Sequence, residues 1–164
     1  IKLFSDQVSV IRGGMVSIWF KKPSIKEVNS WGEGTIAEHI GIEITEIGDD
    51  YIEGTMPADQ RTFQPYKLVH GGANVVLAET LGSIGGMLTL NPVEYYCVGQ
   101  EVNANHLRAV RSGVVTGRAE QIYRGRRSQV WEIKLLDDKN KLTCISRLTL
   151  AIVENKLNEE PSTK

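Results

Sequence analysis

One apolar helical pattern interrupted by glycine limits the folds open to this chain more than anything else in it. From Ala73 to Leu81 the sequence reads as a helix, and Leu77, Ala78, Leu81 and Ile84 leave little of its surface polar. A helix that is apolar nearly all round belongs in an interior. Gly82, Gly85 and Gly86 follow, each costing about 1 kcal/mol relative to alanine inside a helix. Either the helix ends near Gly82, or another layer comes so close that side chains have no room. The second alternative is the sharper one, and it predicts a helix wrapped in a sheet.

The same segment carries the most pointed chemistry. Gln64-Pro65-Tyr66-Lys67-Leu68-Val69-His70-Gly71-Gly72 leads into the helix, whose one carboxylate is Glu79. The Gly71-Gly72 pair lets the chain turn sharply and leaves backbone N–H groups unpaired at the helix start. Those donors, with the positive end of the helix dipole, suit an oxygen that gains negative charge, so Gly71 N–H is a candidate oxyanion donor. Glu79 and Ser83 are four apart and share a helical face. A lone glutamate there is a solvated surface residue or a placed acid or base, and its apolar neighbours favour the second. His70 alone reads equally as a helix cap. Gln64 alone reads as an ordinary loop amide.

A chain of 164 residues with 41% hydrophobic and 24% charged residues fits one domain with a real core. No apolar run approaches the roughly 20 residues that span a bilayer, so no membrane association is expected. Residues 1–14 lack the pattern of a signal peptide and read as an N-terminal extension or added residues, with Met15 as a natural start. Residues 15–154 are the expected domain, and 155–164 a flexible polar tail. Cys97 and Cys144 lie in strand-like sequence and are too few for a disulfide framework, which points to core thiols in a reducing cytoplasm. His39 and His106 have no partner at metal-ligand spacing, so no metal is expected.

The net charge of −1 is unevenly spread. Glu33 to Gln60 holds eight carboxylates and no Lys or Arg, while Arg108, Arg111, Arg118, Arg124, Arg126 and Arg127 face Glu120 alone in the stretch from Arg108 to Arg127. The arginines either dock an anion or keep a sheet soluble. Nucleic acid is a poor partner, since neither interleaved aromatics nor a helix-turn-helix, finger or basic-zipper pattern is present.

Ser24-Ile25-Lys26-Glu27 reads as a capping box opening a short helix through about Trp31, ended by Gly32 and Gly34. Ile36 to Ile47 and Tyr51 to Met56 read as strands joined at Gly48-Asp49-Asp50, and Pro57 to Val69 as a loop. Tyr95 to Leu107, Val114 to Tyr123, Ser128 to Leu136 and Leu142 to Val153 alternate as strands do. Trp131, Ile133 and Leu135 mark a buried face. One long helix and a mostly antiparallel sheet make an α+β domain.

The run His70-Gly71-Gly72-Ala73-Asn74-Val75-Val76-Leu77-Ala78-Glu79, then Gly82-Ser83 and Asn103-Ala104-Asn105-His106-Leu107-Arg108, resembles the hotdog-fold acyl-CoA thioesterases. Within them the chain is similar to the PaaI-like branch of 1,4-dihydroxy-2-naphthoyl-CoA, enterobactin-proofreading and Arthrobacter-type 4-hydroxybenzoyl-CoA thioesterases. The resemblance covers roughly Met15 to Glu154 and takes in Gly48-Asp49-Asp50, Met56-Pro57, Arg61-Thr62, Gln129-Val130-Trp131 and Ser146-Arg147-Leu148-Thr149.

It implies a hotdog fold, a homodimer with shared active sites, and a homotetramer as a frequent further assembly. It implies Glu79 as the catalytic carboxylate and Ser83 as its hydroxyl partner on one subunit, with Gln64, His70 and Gly71 N–H from the other. His106 and Arg108 match positions near the pantetheine and phosphates of coenzyme A. Arg126 and Arg127, with the neighbouring Ser128, are further candidates for the nucleotide. Met87, Leu88, Tyr95 and Val98 are candidates for the acyl pocket. The implied substrate is an aromatic acyl-CoA, with coenzyme A part of the substrate and no separate cofactor. A hotdog hydratase or dehydratase and a non-catalytic acyl-CoA-binding module are the alternatives, and only hydrolysis releases free thiol.

Overall fold

The computed structural model describes residues 17–156. The extension expected over residues 1–14, and the expected tail from residue 157 onward, lie outside the described residues. Asn155, first residue of that tail, donates its N–H to the Glu94 carbonyl at 2.7 Å.

In chain order the elements are α1 (Ile25–Ser30), α2 (Ile36–Ile40), β1 (Glu43–Ile47), β2 (Tyr51–Pro57), α3 (Gly71–Leu88), β3 (Tyr95–His106), β4 (Val114–Arg124), β5 (Ser128–Leu136) and β6 (Leu142–Glu154). The strands form one sheet in the order β1-β2-β4-β5-β6-β3, and every neighbouring pair is antiparallel. The sheet curves around α3, the only long helix described, and leaves β1 and β3 as its edges.

The helix does not stop at Gly82, because its glycines are where helix and sheet touch. A methyl group at Gly82 would lie 2.6 Å from Leu148 Cδ2, and one at Gly85 would lie 2.9 Å from the Trp131 ring. At Gly86 it would overlap Leu150. Leu77 and Leu81 then pack with Trp131, Ile133, Leu135, Leu148 and Leu150, all fully buried. Each such side chain contributes about 1.5–3 kcal/mol, enough to offset the helix cost of the glycines. Trp131 also stacks on Trp19, with ring centroids 6.2 Å apart and planes 5° from parallel.

The far end of α3 is closed by a buried amide. Gln129 Nε2 donates to Thr89 Oγ1 (2.9 Å) and to the Gly86 carbonyl (3.3 Å), while its Oε1 accepts from Trp131 Nε1 (2.9 Å) and Gln121 Nε2 (3.0 Å). Arg124 Nη2 donates to the Thr89 carbonyl at 2.7 Å. Carbonyls that the helix terminus leaves without partners are thereby satisfied.

Two local expectations need correction. Ile36 to Ile47 is not one strand: α2 occupies Ile36–Ile40 and β1 begins only at Glu43. Thr35 caps the helix by accepting from Ala37 N–H (3.2 Å), Glu38 reaches back to Gly34 N–H (2.6 Å), and Gly41 ends the turn at φ 75°. That is a capping box with a left-handed C-terminal glycine, a stronger local signal than β-branched content. Gly71 and Gly72 also do not precede α3. They form its first turn, with His70 as the N-cap.

Candidate active site

The head of α3 is shaped by the loop before it. His70 N–H donates to the Thr62 carbonyl (2.7 Å) and Phe63 pairs with Val69, which folds Gln64 back beside the helix start. Gln64 Oε1 accepts from Tyr66 N–H at 2.6 Å, which leaves the Nε2 donors for another group. His70 Nδ1 accepts from Gly72 N–H at 2.8 Å. That bond assigns the ring proton to Nε2, on the side away from the helix. Gly71 is the first helical residue, so its N–H has no acceptor within α3, and it donates to none of the other described residues. The His106 ring packs over it: a methyl at Gly71 would lie 2.7 Å from His106 Nε2. The structure thus brings His70, Gly71 and His106 together.

Glu79 lies further along α3 and is half-buried. Burial pushes its carboxyl above the usual carboxylate range, opposed in part by a hydrogen bond from Ser83. It belongs to no ion pair among the described residues. Its carboxylate meets β3 at Gly99, where a methyl group would overlap Oε1. Gly99 was not singled out from sequence. Its signal was there to find, because a glycine inside an alternating strand marks a bulge or a close approach, and the β3–β6 register does shift between Gly99 and Glu101.

The remaining site residues fall at two ends of the sheet. Arg126 and Arg127, in the β4–β5 turn, border an open basin of about 1350 Å³ with Tyr95, Tyr96 and Gln100. Ser128 follows them at the start of β5, opposite Ala151. His106 pairs with Cys144 at the other end of β3. Arg108 lies near Asp137, whose carboxyl is held low first by Lys141 N–H and then also by Lys139 N–H and the Arg108 charge. Roughly 25–30 Å of strand separates these two groups, so no single chain clamps one phosphate with all of them. Glu79 and Gly71 N–H are likewise about 12 Å apart along their common helix, whereas reacting groups must meet within roughly 3–3.5 Å. Val98 is exposed on β3, Tyr95 lies on the same strand, and Leu88 is buried. Of the four expected acyl-pocket residues, only Met87 borders a separate groove between α3 and the α1–α2 segment.

Among the described residues, no three His, Cys, Asp or Glu side chains cluster as metal ligands, and no helix is long and apolar enough to cross a membrane. Cys97 and Cys144 are unpaired thiols, and burial pushes Cys97 up to about 11.

A long helix clasped by a six-stranded antiparallel sheet, with a carboxylate on that helix and a histidine-capped diglycine at its start, defines a hotdog protein of the thioester-processing kind. Residues 66–144 match the thioesterase superfamily. The 1,4-dihydroxy-2-naphthoyl-CoA hydrolase of Escherichia coli is 47% identical over 136 residues, 83% of this chain and 99% of that protein. The proofreading thioesterase EntH of Cronobacter turicensis is 46% identical over 136 residues, 83% of this chain and 98% of its own length. A mutant thioesterase from Pseudomonas aeruginosa superposes with a TM-score of 0.84 at 45% identity, covering 85% of this chain and 100% of that one. The chain belongs to the thioesterase superfamily, and its class of chemistry is thioester hydrolysis.

Proposed function

We propose that the protein hydrolyses acyl-CoA thioesters of the aromatic kind, as the names of its relatives suggest, at sites shared between two copies of the chain. The observation that carries this reading is Glu79: a half-buried carboxylate bonded to Ser83, raised by burial and free of ion pairs, on the central helix. Gly71 N–H polarises the thioester carbonyl, aided by Gln64 Nε2 and His70 Nε2–H. Glu79 either directs water onto the carbonyl carbon or attacks it to give a mixed anhydride that water clears, and Ser83 holds the water in both routes.

The 12 Å or so between Glu79 and Gly71 supports a site completed by a second copy. The open edge of β3, with Tyr96 and Val98 46% exposed, is the natural seam for such a homodimer. A homotetramer is the expected further assembly. Arg126, Arg127 and Ser128 from one copy, and His106 and Arg108 from the other, are suited to the phosphates and pantetheine of coenzyme A. Coenzyme A enters as part of the substrate, and no resident cofactor takes part. This assignment follows the PaaI-like branch, and the two unpaired thiols suit the cytoplasm.

Thiol release from benzoyl-CoA tests the reading directly. Glu79→Gln should lower kcat by about 10²- to 10⁴-fold with the melting temperature maintained, and unchanged turnover would remove Glu79 from the mechanism. Acyl-CoA binding without any thiol release would favour the non-catalytic module.

A further inference from the structure

The central helix presents three stripes, and the hydrolytic chemistry uses only one. Leu77, Ala78, Leu81, Gly82 and Gly85 are buried toward the sheet, while Glu79 and Gly86 turn toward β3, where Gly99 and Cys97 meet them. Thr80, Ser83, Ile84 and Met87 follow the spacing of one helical face. This third stripe lines a groove of about 260 Å³ whose opposite wall is the α1–α2 segment and β1. Val28, Ile42 and Ile44 are buried at its floor, while Trp31 (42% exposed), Ile36 (58%) and Met87 (41%) form its rim. The outer wall is firmly held. Asn29 Nδ2 donates to the Ile44 carbonyl at 3.0 Å, Ile44 N–H donates to Asn29 Oδ1 at 2.7 Å, and both ends of α2 are capped.

Ser83 joins this groove to the carboxylate, because it both lines the groove and hydrogen-bonds Glu79. We propose that the groove receives the acyl group of the thioester, and that Ile36 and Met87 at its rim determine which acyl groups are accepted. The inference rests on Glu79 acting at the thioester carbonyl. With the carbonyl beside Glu79, the acyl substituent runs past Ser83 between Ile84 and Met87 on one side and Trp31 and Ile36 on the other. An apolar cavity of about 150 Å³ holds a benzene ring. The groove therefore has room for a ring with a short extension, or for two fused rings. Selectivity then belongs to the α1–α2 segment and not to edge strand β3, and Val98 has no part in it.

The test is the ratio of kcat/KM for 2-naphthoyl-CoA to that for acetyl-CoA, measured by thiol release. Ile36→Trp narrows the rim and should lower the ratio at least tenfold. Met87→Ala widens it and should raise the ratio two- to fivefold. Both side chains are exposed enough for the fold to tolerate the change, which a thermal melt checks. Ratios within twofold of wild type in both variants, or ratios that move in the same direction, overturn the groove assignment while leaving hydrolysis by Glu79 in place. A wild-type protein that releases thiol from neither substrate overturns both.

Discussion

Gly99→Ala separates catalytic geometry from stability. It adds one methyl group to β3, in space now held by Glu79 Oε1, while Cδ of the same side chain stays 3.4 Å away. The terminal oxygen must yield, and restoring an ordinary contact near 3.5 Å requires it to withdraw by about 1 Å. The end of a half-buried glutamate swings at little cost, and Gly99 is exposed on an edge strand without a positive φ. Stability should therefore change by no more than about 0.5 kcal/mol, or roughly 2 °C in Tm. Catalysis has no such tolerance: a misplacement of about 1 Å costs on the order of 10²-fold in rate, equivalent to about 2.7 kcal/mol in the barrier. The assay is kcat for benzoyl-CoA by thiol release, with a thermal melt and size-exclusion profile on the same preparation. A kcat within threefold of wild type would refute positioning of the carboxylate against β3. A Tm loss of more than about 5 °C would refute the claim that the side chain absorbs the clash.

The acid limb of kcat/KM should lie above the ordinary glutamate range, because burial raises Glu79 and the base must be ionised to act; Ser83→Ala removes the bond that lowers it and should move that limb to higher pH. A limb that moves down would contradict the assignment. Because the folded state raises this pKa, the protonated form is favoured by folding, and that stability is present below the unfolded pKa and lost as pH rises through the folded one. Glu79→Gln should therefore raise Tm slightly at neutral pH, with the gain vanishing in acid. Gly82→Ala should lower the urea midpoint even though alanine favours helix by about 1 kcal/mol, since the added methyl lies 2.6 Å from Leu148 and overpacking costs about 1–3 kcal/mol; a higher midpoint would disprove close helix–sheet contact there. Glu79→Gln mixed and refolded with His70→Ala should recover up to about one quarter of wild-type activity, since half the random dimers are mixed and each restores one intact site. No recovery would argue against shared sites.

The helix-in-sheet arrangement was legible because glycine in an apolar helix has few explanations, and close packing is one. The four C-terminal strands were legible from alternation. What escaped was local or long-range. The start of α2 was missed because β-branched Thr35 and Ile36 outweighed the Thr35–Glu38 capping pair, a short-range hydrogen-bonding signal that strand-like composition masks. Gly99 opposite Glu79 was missed because the two are joined only by the β3–α3 packing, which no sequence period reports. The same limit applies to the basic residues. Arg108 and Arg126 are close in sequence, yet the β4 and β5 excursions send them to opposite ends of the sheet.

The glycines of α3 also explain why a helix, and not a loop, carries Glu79. Leu148 and Leu150 of β6 press on Gly82 and Gly86, and Trp131 of β5 presses on Gly85. Three contacts from two adjacent strands, spread over little more than one helical turn, fix both the rotation and the height of the helix. A shift of one residue would turn it by about 100° and drive side chains into those strands. With rotation set in this way, Glu79 meets Gly99, Thr80, Ile84 and Met87 line the outer groove, and Ser83 stands between the two. The packing that stabilises the core therefore also aims the carboxylate. Bulk added under the glycine contacts should disturb turnover before it unfolds the protein, since the site needs sub-ångström placement while the core needs only to stay filled.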